Sequence, residues 1–427
     1  MNSFSQNWTV KSLEELNINI IDGDRGKNYP KKDELTSTGY CPFLNNKNLI
    51  GDKISLNDCE FISKERDSLL RKGRIQVNDI IITTRGTVGN VGFFHNKLDY
   101  DFARINSGMV ILRNADSDIL TQYLYHLLKS PLLKEQYKSL TSGSAQPQLP
   151  IRDLKKVKLI IPPKVIQEKI VNIIDSIESK IELNHAMNNT LEHMAMTLYK
   201  HWFIDFGPFQ DGDFTDTELG EIPKGWEVKS LKDIASILMG QSPKSEFYNQ
   251  EGEGLPFHQG VANFGIRFPI NITHSTKLLR VAEEGDLLIS VRAPVGRLNI
   301  AHTKMVIGRG LSAISSKTNN PSFLLYTLKT LFSEEDKYGS GTIFNSINKG
   351  ELENLKVIVP VETIINEYES RVSVYESLIK TNHEQILSLT DTRDYLLPRL
   401  LSAEIDLSEV AEKVKEVILN EQPEPSV

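Results

Sequence analysis

Few residues of this chain have the types and spacing that catalysis needs. Three histidines, His185, His193 and His201, recur at intervals of eight. At about 100° per residue they would turn away from one another around a helix, so they do not converge on a metal. Glu227-Val228-Lys229 has the Glu-x-Lys spacing of a metal-dependent nuclease. The matching position in an internal repeat is Thr9, so that carboxylate is not part of the repeated design. The chain has no GxGxxG after a strand, no GxxxxGK[ST] phosphate loop and no GxSxG. It also lacks the Asn- or Asp-Pro-Pro-aromatic string of amino-methyltransferases. Two cysteines, Cys41 and Cys59, have neither CxxC nor histidine partners, which leaves them as reduced thiols rather than a disulfide or zinc site. What the chain does offer is hydrogen-bonding side chains on turn-rich segments, beginning with Arg85 and Arg292 at the tips of two matching hairpins.

Those hairpins belong to a duplication. NWTVKSLEEL returns as GWEVKSLKDI, so that Trp226, Val228, Lys229, Ser230 and Leu231 match Trp8, Val10, Lys11, Ser12 and Leu13 at an offset of 218. NDIIITTRGTVGNVGFF matches GDLLISVRAPVGRLNIA at 207, and RINSGMVILR matches VIGRGLSAIS at about 202. TSGSAQPQLPIRDLKKVKLIIPP then matches YGSGTIFNSINKGELENLKVIVP at 198. The falling offset places the length differences between the matched phrases, where loops vary and binding residues often lie.

Each copy runs into a long helical pattern. Ile170, Ile174, Ile177, Ile181, Asn184, Asn188, Leu191, Ala195 and Leu198 recur at steps of four and three. Tyr368, Val372, Tyr375, Ile379, Asn382, Ile386, Leu389, Arg393 and Leu396 repeat them 198 residues on. Such spacing is a coiled-coil seam, and an interior Asn fixes register at some cost in stability. A helix of roughly 40 residues would extend about 60 Å.

The expected fold is α+β, with two tandem domains each followed by a long helix. The helices are expected to pair as an antiparallel coiled coil with pseudo-two-fold symmetry. The division expected is 1–163 for domain 1, 164–206 for helix 1, 207–219 for a linker, 220–360 for domain 2, 361–403 for helix 2 and 404–427 for an acidic tail. Within each domain one helical pattern is expected, over 117–137 and 322–338. Of the net charge of −7, the tail carries −5, which leaves the rest near neutral and able to offer local basic tracks. No apolar run is long enough to span a bilayer, and the first residues have no signal-peptide pattern, so a cytoplasmic, unprocessed chain is expected.

Two similar domains on a stiff spacer suit a two-point reader of DNA, whose half-sites lie about 34 Å apart for one helical turn. The phrases WEVKSLKDI, GDLLISVRAPVG, GSAQPQLPIRDLKKVKLIIPP, HWFIDFGP and RDYLLPRLLSAEI, taken in order, resemble the specificity subunits of type I restriction-modification systems. The resemblance covers all but the tail. It implies two target-recognition domains, a split asymmetric target and no catalysis by the chain itself. The implied partners are double-stranded DNA, two adenine-methylating subunits docked on the helices, and two restriction and translocation subunits. S-adenosylmethionine, ATP and Mg2+ would then belong to those partners, with no cofactor or metal in this chain. A methylation-only complex, or a coiled-coil scaffold that reads no DNA, is the alternative.

By chemistry, Arg suits guanine, Asn and Gln suit adenine, and Ser or Thr suit several base edges. Candidate contacts are Arg25, Lys27, Asn45, Lys47, Arg85, Arg104, Ser144 and Gln146 in the first domain. In the second they are Gln241, Gln259, Arg292, Arg309, Thr342 and Asn345.

Overall fold

A computed structural model describes residues 7–50, 52–96, 98, 100–143, 146–333, 346–405, 407, 410, 412 and 414. Two compact units emerge, one of 1–183 with 385–427 and the other of 184–384. The division cuts both long helices, Lys164–Phe203 and Glu362–Leu401, so each unit holds one half of each helix beside one α+β domain.

In the first unit Thr9–Ser12 pairs antiparallel with Lys158–Ile161, the strand that feeds the long helix. A four-stranded sheet follows the order Ile18–Asp22, Met109–Asn114, Asp79–Thr83, Val91–Phe94. A second has the order Glu60–Ile62, Cys41–Leu44, Phe102–Ile105, Arg74–Gln76, with one parallel pairing that sets Arg104 opposite Phe43. The expected hairpin is present, with Asp79 opposite Phe94.

The second unit repeats this plan. Glu227–Ser230 pairs with Lys356–Val359, and the four-stranded order is Ala235–Met239, Leu311–Ser316, Leu287–Ser290, Leu298–Ile300. The remaining sheet again has one parallel pairing, Leu255–His258 with Met305–Ile307, which sets Val306 opposite Phe257. Arg104 and Val306 are thus equivalent in space as well as in sequence.

One expectation is corrected. The helical pattern of 117–137 is two helices, Thr121–Lys129 and Pro131–Leu140. Pro131 forces the preceding Ser130 into an extended conformation, and the Ser130 hydroxyl then caps the second helix by accepting from Leu133 N. Its counterpart in the other unit, Pro321–Ser333, is unbroken over its described residues.

The seam residues pack as their spacing requires. In the first unit Ile170, Ile174, Ile177 and Ile181 share a core with Ile386, Leu389 and Leu396. In the second, Tyr368, Val372 and Ile379 are buried, and Leu191, Leu198 and Tyr375 are half-buried. The antiparallel sense shows in the contacts, because Tyr368 Oη donates to Ala195 O at 3.3 Å while Asn382 Nδ2 donates to Asn188 Oδ1 at 2.8 Å. Asn184 is buried, as is Asn382. The described part of the tail is not simply solvated: Val410 and Val414 join the first unit's core, with Ile405 and Leu407 packed against it.

Candidate nucleic-acid interface

At one end of each domain, loops from separate strands close on one another through backbone hydrogen bonds. In the first unit Asn106 N donates to Leu44 O at 2.9 Å and Thr84 N to Gly108 O at 2.7 Å. Gly86 N donates to Pro147 O at 3.0 Å, and Arg85 forms a bridge with Gln148. In the second unit Gly308 N donates to His258 O at 2.8 Å and Val291 N to Gly310 O at 2.9 Å, and Arg292 bridges Ser346. The same close approach recurs: a Cβ on Gly23 would lie 2.2 Å from Asn106 O, and one on Gly240 would lie 2.2 Å from Gly308 O. Glycine is required at both, because neither carbonyl can move without breaking the loop cluster.

On this shared frame the side chains differ. In the first unit Arg25, Lys27, Lys47 and Gln146 are exposed and Arg85 is half-buried. The Arg25 guanidinium donates to Asp22 at 3.1 Å and to Ser107 O at 3.4 Å. Burial opposes ionisation of Asp24, but the amides of Arg71, Lys72 and Arg25 together hold its pKa below the usual carboxylate value and fix the loop. In the second unit Gln241, Gln259, Arg292 and Arg309 are exposed. Ser144, Thr342 and Asn345 lie outside the described residues.

One candidate is corrected, and a second is engaged within its own turn. Arg104 is 5% exposed and cannot reach a ligand. Its Nε donates to Asp67 at 2.6 Å, and its terminal nitrogens donate to Lys72 O, Asp67 O and Leu70 O at 2.7 to 3.1 Å. It ties the helix Lys64–Leu69 to the sheet, work that the equivalent Val306 does not do. Asn45 has its amide engaged in its own turn, accepting from Lys47 N at 2.9 Å and donating to Glu60 at 3.4 Å. Ser242, by contrast, escaped the sequence reading although it touches both Gln259 and the Arg309 amide. Only the repeat register, which puts it two residues beyond Gly240, could have marked it.

Comparison with known proteins places the chain in a family. Residues 5–193 and 223–389 match the family model described as the type I restriction modification DNA specificity domain. The chain belongs to this family. The putative type I restriction enzyme MjaX specificity subunit of Methanocaldococcus jannaschii is 29% identical over 94% of each chain. The MjaIX specificity subunit of the same organism is 30% identical over 78% of each. The HindI specificity subunit of Haemophilus influenzae is 26% identical over 90% of this chain and 98% of its own. The type I system S subunit from M. genitalium shares the fold, with a TM-score of 0.54 at 18% identity, over 94% of this chain and 98% of its own.

Other reactive groups among the described residues are engaged in packing and ion pairs. Both cysteines are buried, which raises their thiols to about 12 for Cys41 and about 11 for Cys59 and keeps them unreactive. His126, Asp175 and Glu178 bring possible metal-ligating atoms within 4.8 Å of one another beside a cleft of about 480 Å³. The Lys129 ammonium, 2.5 Å from Glu178, already supplies the countercharge a cation would bring. The trio serves to fasten the domain to its helix. No described helix is long and apolar enough to cross a membrane.

Proposed function

We propose that the chain is the non-catalytic DNA-reading subunit of a type I restriction-modification complex, each domain reading one half of a split, asymmetric target. The observation that carries this reading is the loop cluster built twice on one backbone plan with different exposed side chains, Arg25, Lys47 and Gln146 against Gln241, Gln259 and Arg309. A common frame with different polar groups suits two unlike half-sites, because base edges are told apart by donor and acceptor pattern. The long helices act as the spacer and as the docking surface for two methylating subunits. Two restriction and translocation subunits complete the assembly in the cytoplasm. S-adenosylmethionine, ATP and Mg2+ are used by those partners.

The test is to co-express the chain with its methylating subunit and map N6-methyladenine across the host genome by single-molecule sequencing. Methylation at one split motif, lost when the chain is omitted, is the expected result. A stable complex with no motif would refute the reading. Exchanging residues 1–160 for those of a relative is expected to change one half-site and leave the other intact.

A further inference from the structure

We propose that Gln259 reads an adenine in the half-site of the second domain, with its amide oriented beforehand by Ser242. This rests on the DNA-reading function proposed above and adds to it a residue and a base. Gln259 is exposed on the loop after Leu255–His258. The Ser242 hydroxyl accepts from Arg309 N at 3.1 Å, which leaves its hydrogen for Gln259 Oε1 at 2.8 Å. That bond holds the amide against Ser242 with Oε1 turned towards the hydroxyl. The Nε2 donors and the second lone pair of Oε1 remain for a ligand.

A neighbouring donor and acceptor match the N7 acceptor and N6 donor of adenine in the major groove. Guanine offers two acceptors, N7 and O6, and so gives the second lone pair of the oxygen no donor, which leaves adenine the better partner. Glycines make the position possible. A Cβ on Gly308 would fall 2.8 Å from Gln259 Cα and 2.9 Å from its Oε1, and one on Gly310 would fall 2.6 Å from its carbonyl oxygen. Holding a long amide side chain in one rotamer before binding removes much of the entropy cost of ordering it on contact.

Its neighbours lack this arrangement. Gln241 has its backbone N bonded to Ile307 O at 3.0 Å, but its side chain has no anchoring bond among the described residues. In the first domain Asn45, the amide on the corresponding loop, is committed to Lys47 N and Glu60.

The experiment uses the purified complex of the full chain with its methylating subunit. The probes are a duplex carrying the mapped motif and a panel of duplexes with each base pair changed singly. Gln259→Ala is expected to bind the motif roughly ten- to a hundredfold more weakly and to become indifferent to one A·T pair in one half-site, with discrimination unchanged at every other position. Ser242→Ala is expected to weaken discrimination at that same pair, with a smaller loss of affinity. Unchanged discrimination in Gln259→Ala, an equal loss across the whole panel, or indifference appearing at a G·C pair would each overturn the assignment. A wild-type complex with no sequence preference would instead sink the proposed function itself.

Discussion

The two units fasten their domains to the long helices at the same place but with different chemistry. In the first, three acidic residues of one helix receive the domain: Asp175 takes His126 at 2.8 Å, Glu178 takes Lys129 at 2.5 Å and Glu182 takes Lys53 at 2.7 Å. In the second, the acceptors come from both helices. Arg267 bonds Glu192 and Glu376 together, Lys329 bonds Glu192, and Tyr326 donates to Glu376 at 2.9 Å. Lys329 and Tyr326 stand where Lys129 and His126 stand in the first copy, 200 residues earlier. The lesson is that a donor facing a helix carboxylate is what the design needs, while the donor's identity drifts. Arg267 is an addition, carried by the turn between Phe264 and Pro269 and buried at 7% side-chain exposure.

The largest effect expected is therefore from Arg267→Ala, which removes the buried guanidinium shared by two carboxylates on facing helices and leaves Glu192 with Lys329 alone and Glu376 with only the Tyr326 hydroxyl. A loss of about 3–5 kcal/mol is expected in the second unit, seen as faster amide exchange there. A cut at the first unit's attachment, Lys53→Ala, removes an exposed pair and is expected to cost about 1 kcal/mol or less. Equal costs would mean that the two attachments are energetically alike.

Next comes a comparison of arginines within the loop-bearing domains. Arg104→Ala would leave buried Asp67 with only the more distant Arg74, at 3.7 Å, and a loss of about 3 kcal/mol from the first unit is expected, with base preference retained in whatever complex still folds. Arg309→Ala, at an exposed position, is expected to change stability by no more than about 0.5 kcal/mol and to weaken DNA binding with a shallower salt dependence. Denaturation and salt titration of the two variants separate fold from readout.

The arginines also show where sequence reasoning reaches its limit. The duplication, the two long helices, both hairpins and the polar layer of the seam were legible, because periodicity and repeated phrases report backbone geometry directly. Arg104 was misread because a buried fork and a base-reading fork are the same residue type on a β-rich phrase. Only the partner Asp67, 37 positions away, tells them apart. The apolar alternative at Val306 was the available hint. The turn role of Asn45 went unread for a related reason: a turn-forming amide and a base-reading amide look identical until the turn is seen. The helix attachments were invisible, since they join residues as far apart as Arg267 and Glu376.

A smaller effect separates the units by pH. In the second unit Asn271 links His258 at 3.0 Å to His302 at 3.2 Å, and His383 lies stacked on Phe268 beside His302. Burial lowers the pKa of all three histidines. For His383, with the nearby His302 and His185 adding to the effect, it falls to about 4. A base whose pKa is depressed on folding takes up fewer protons folded than unfolded. Its stability is thus full above about pH 6.5 and is lost as pH falls from there towards 4. Amide exchange in the second unit is expected to accelerate over that window, and His383→Phe to flatten the response. A slope left unchanged by that substitution would assign the acid sensitivity to other groups.

A last comparison concerns the seam, where a double variant is expected to lose no stability at all. Asn382 donates to Asn188, whose own Nδ2 reaches Ile379 O at 3.4 Å, so the two amides bond to each other and to a helix carbonyl in a seam layer that also holds buried Asn184. Asn382→Leu alone would leave Asn188 Oδ1 without its donor and is expected to cost about 1–2 kcal/mol. Changing both to Leu removes the need for the bond, and the double variant is expected to be at least as stable as wild type. If the layer sets register, the double variant gains stability but loses uniqueness: the second unit's helix amides should exchange at more than one rate, while those of the first keep theirs. A single well-ordered register in the double variant would mean that the flanking Tyr368, Val372 and Ile379 already fix the pairing. The asparagines would then be dispensable for order and would serve only to weaken the helix pair.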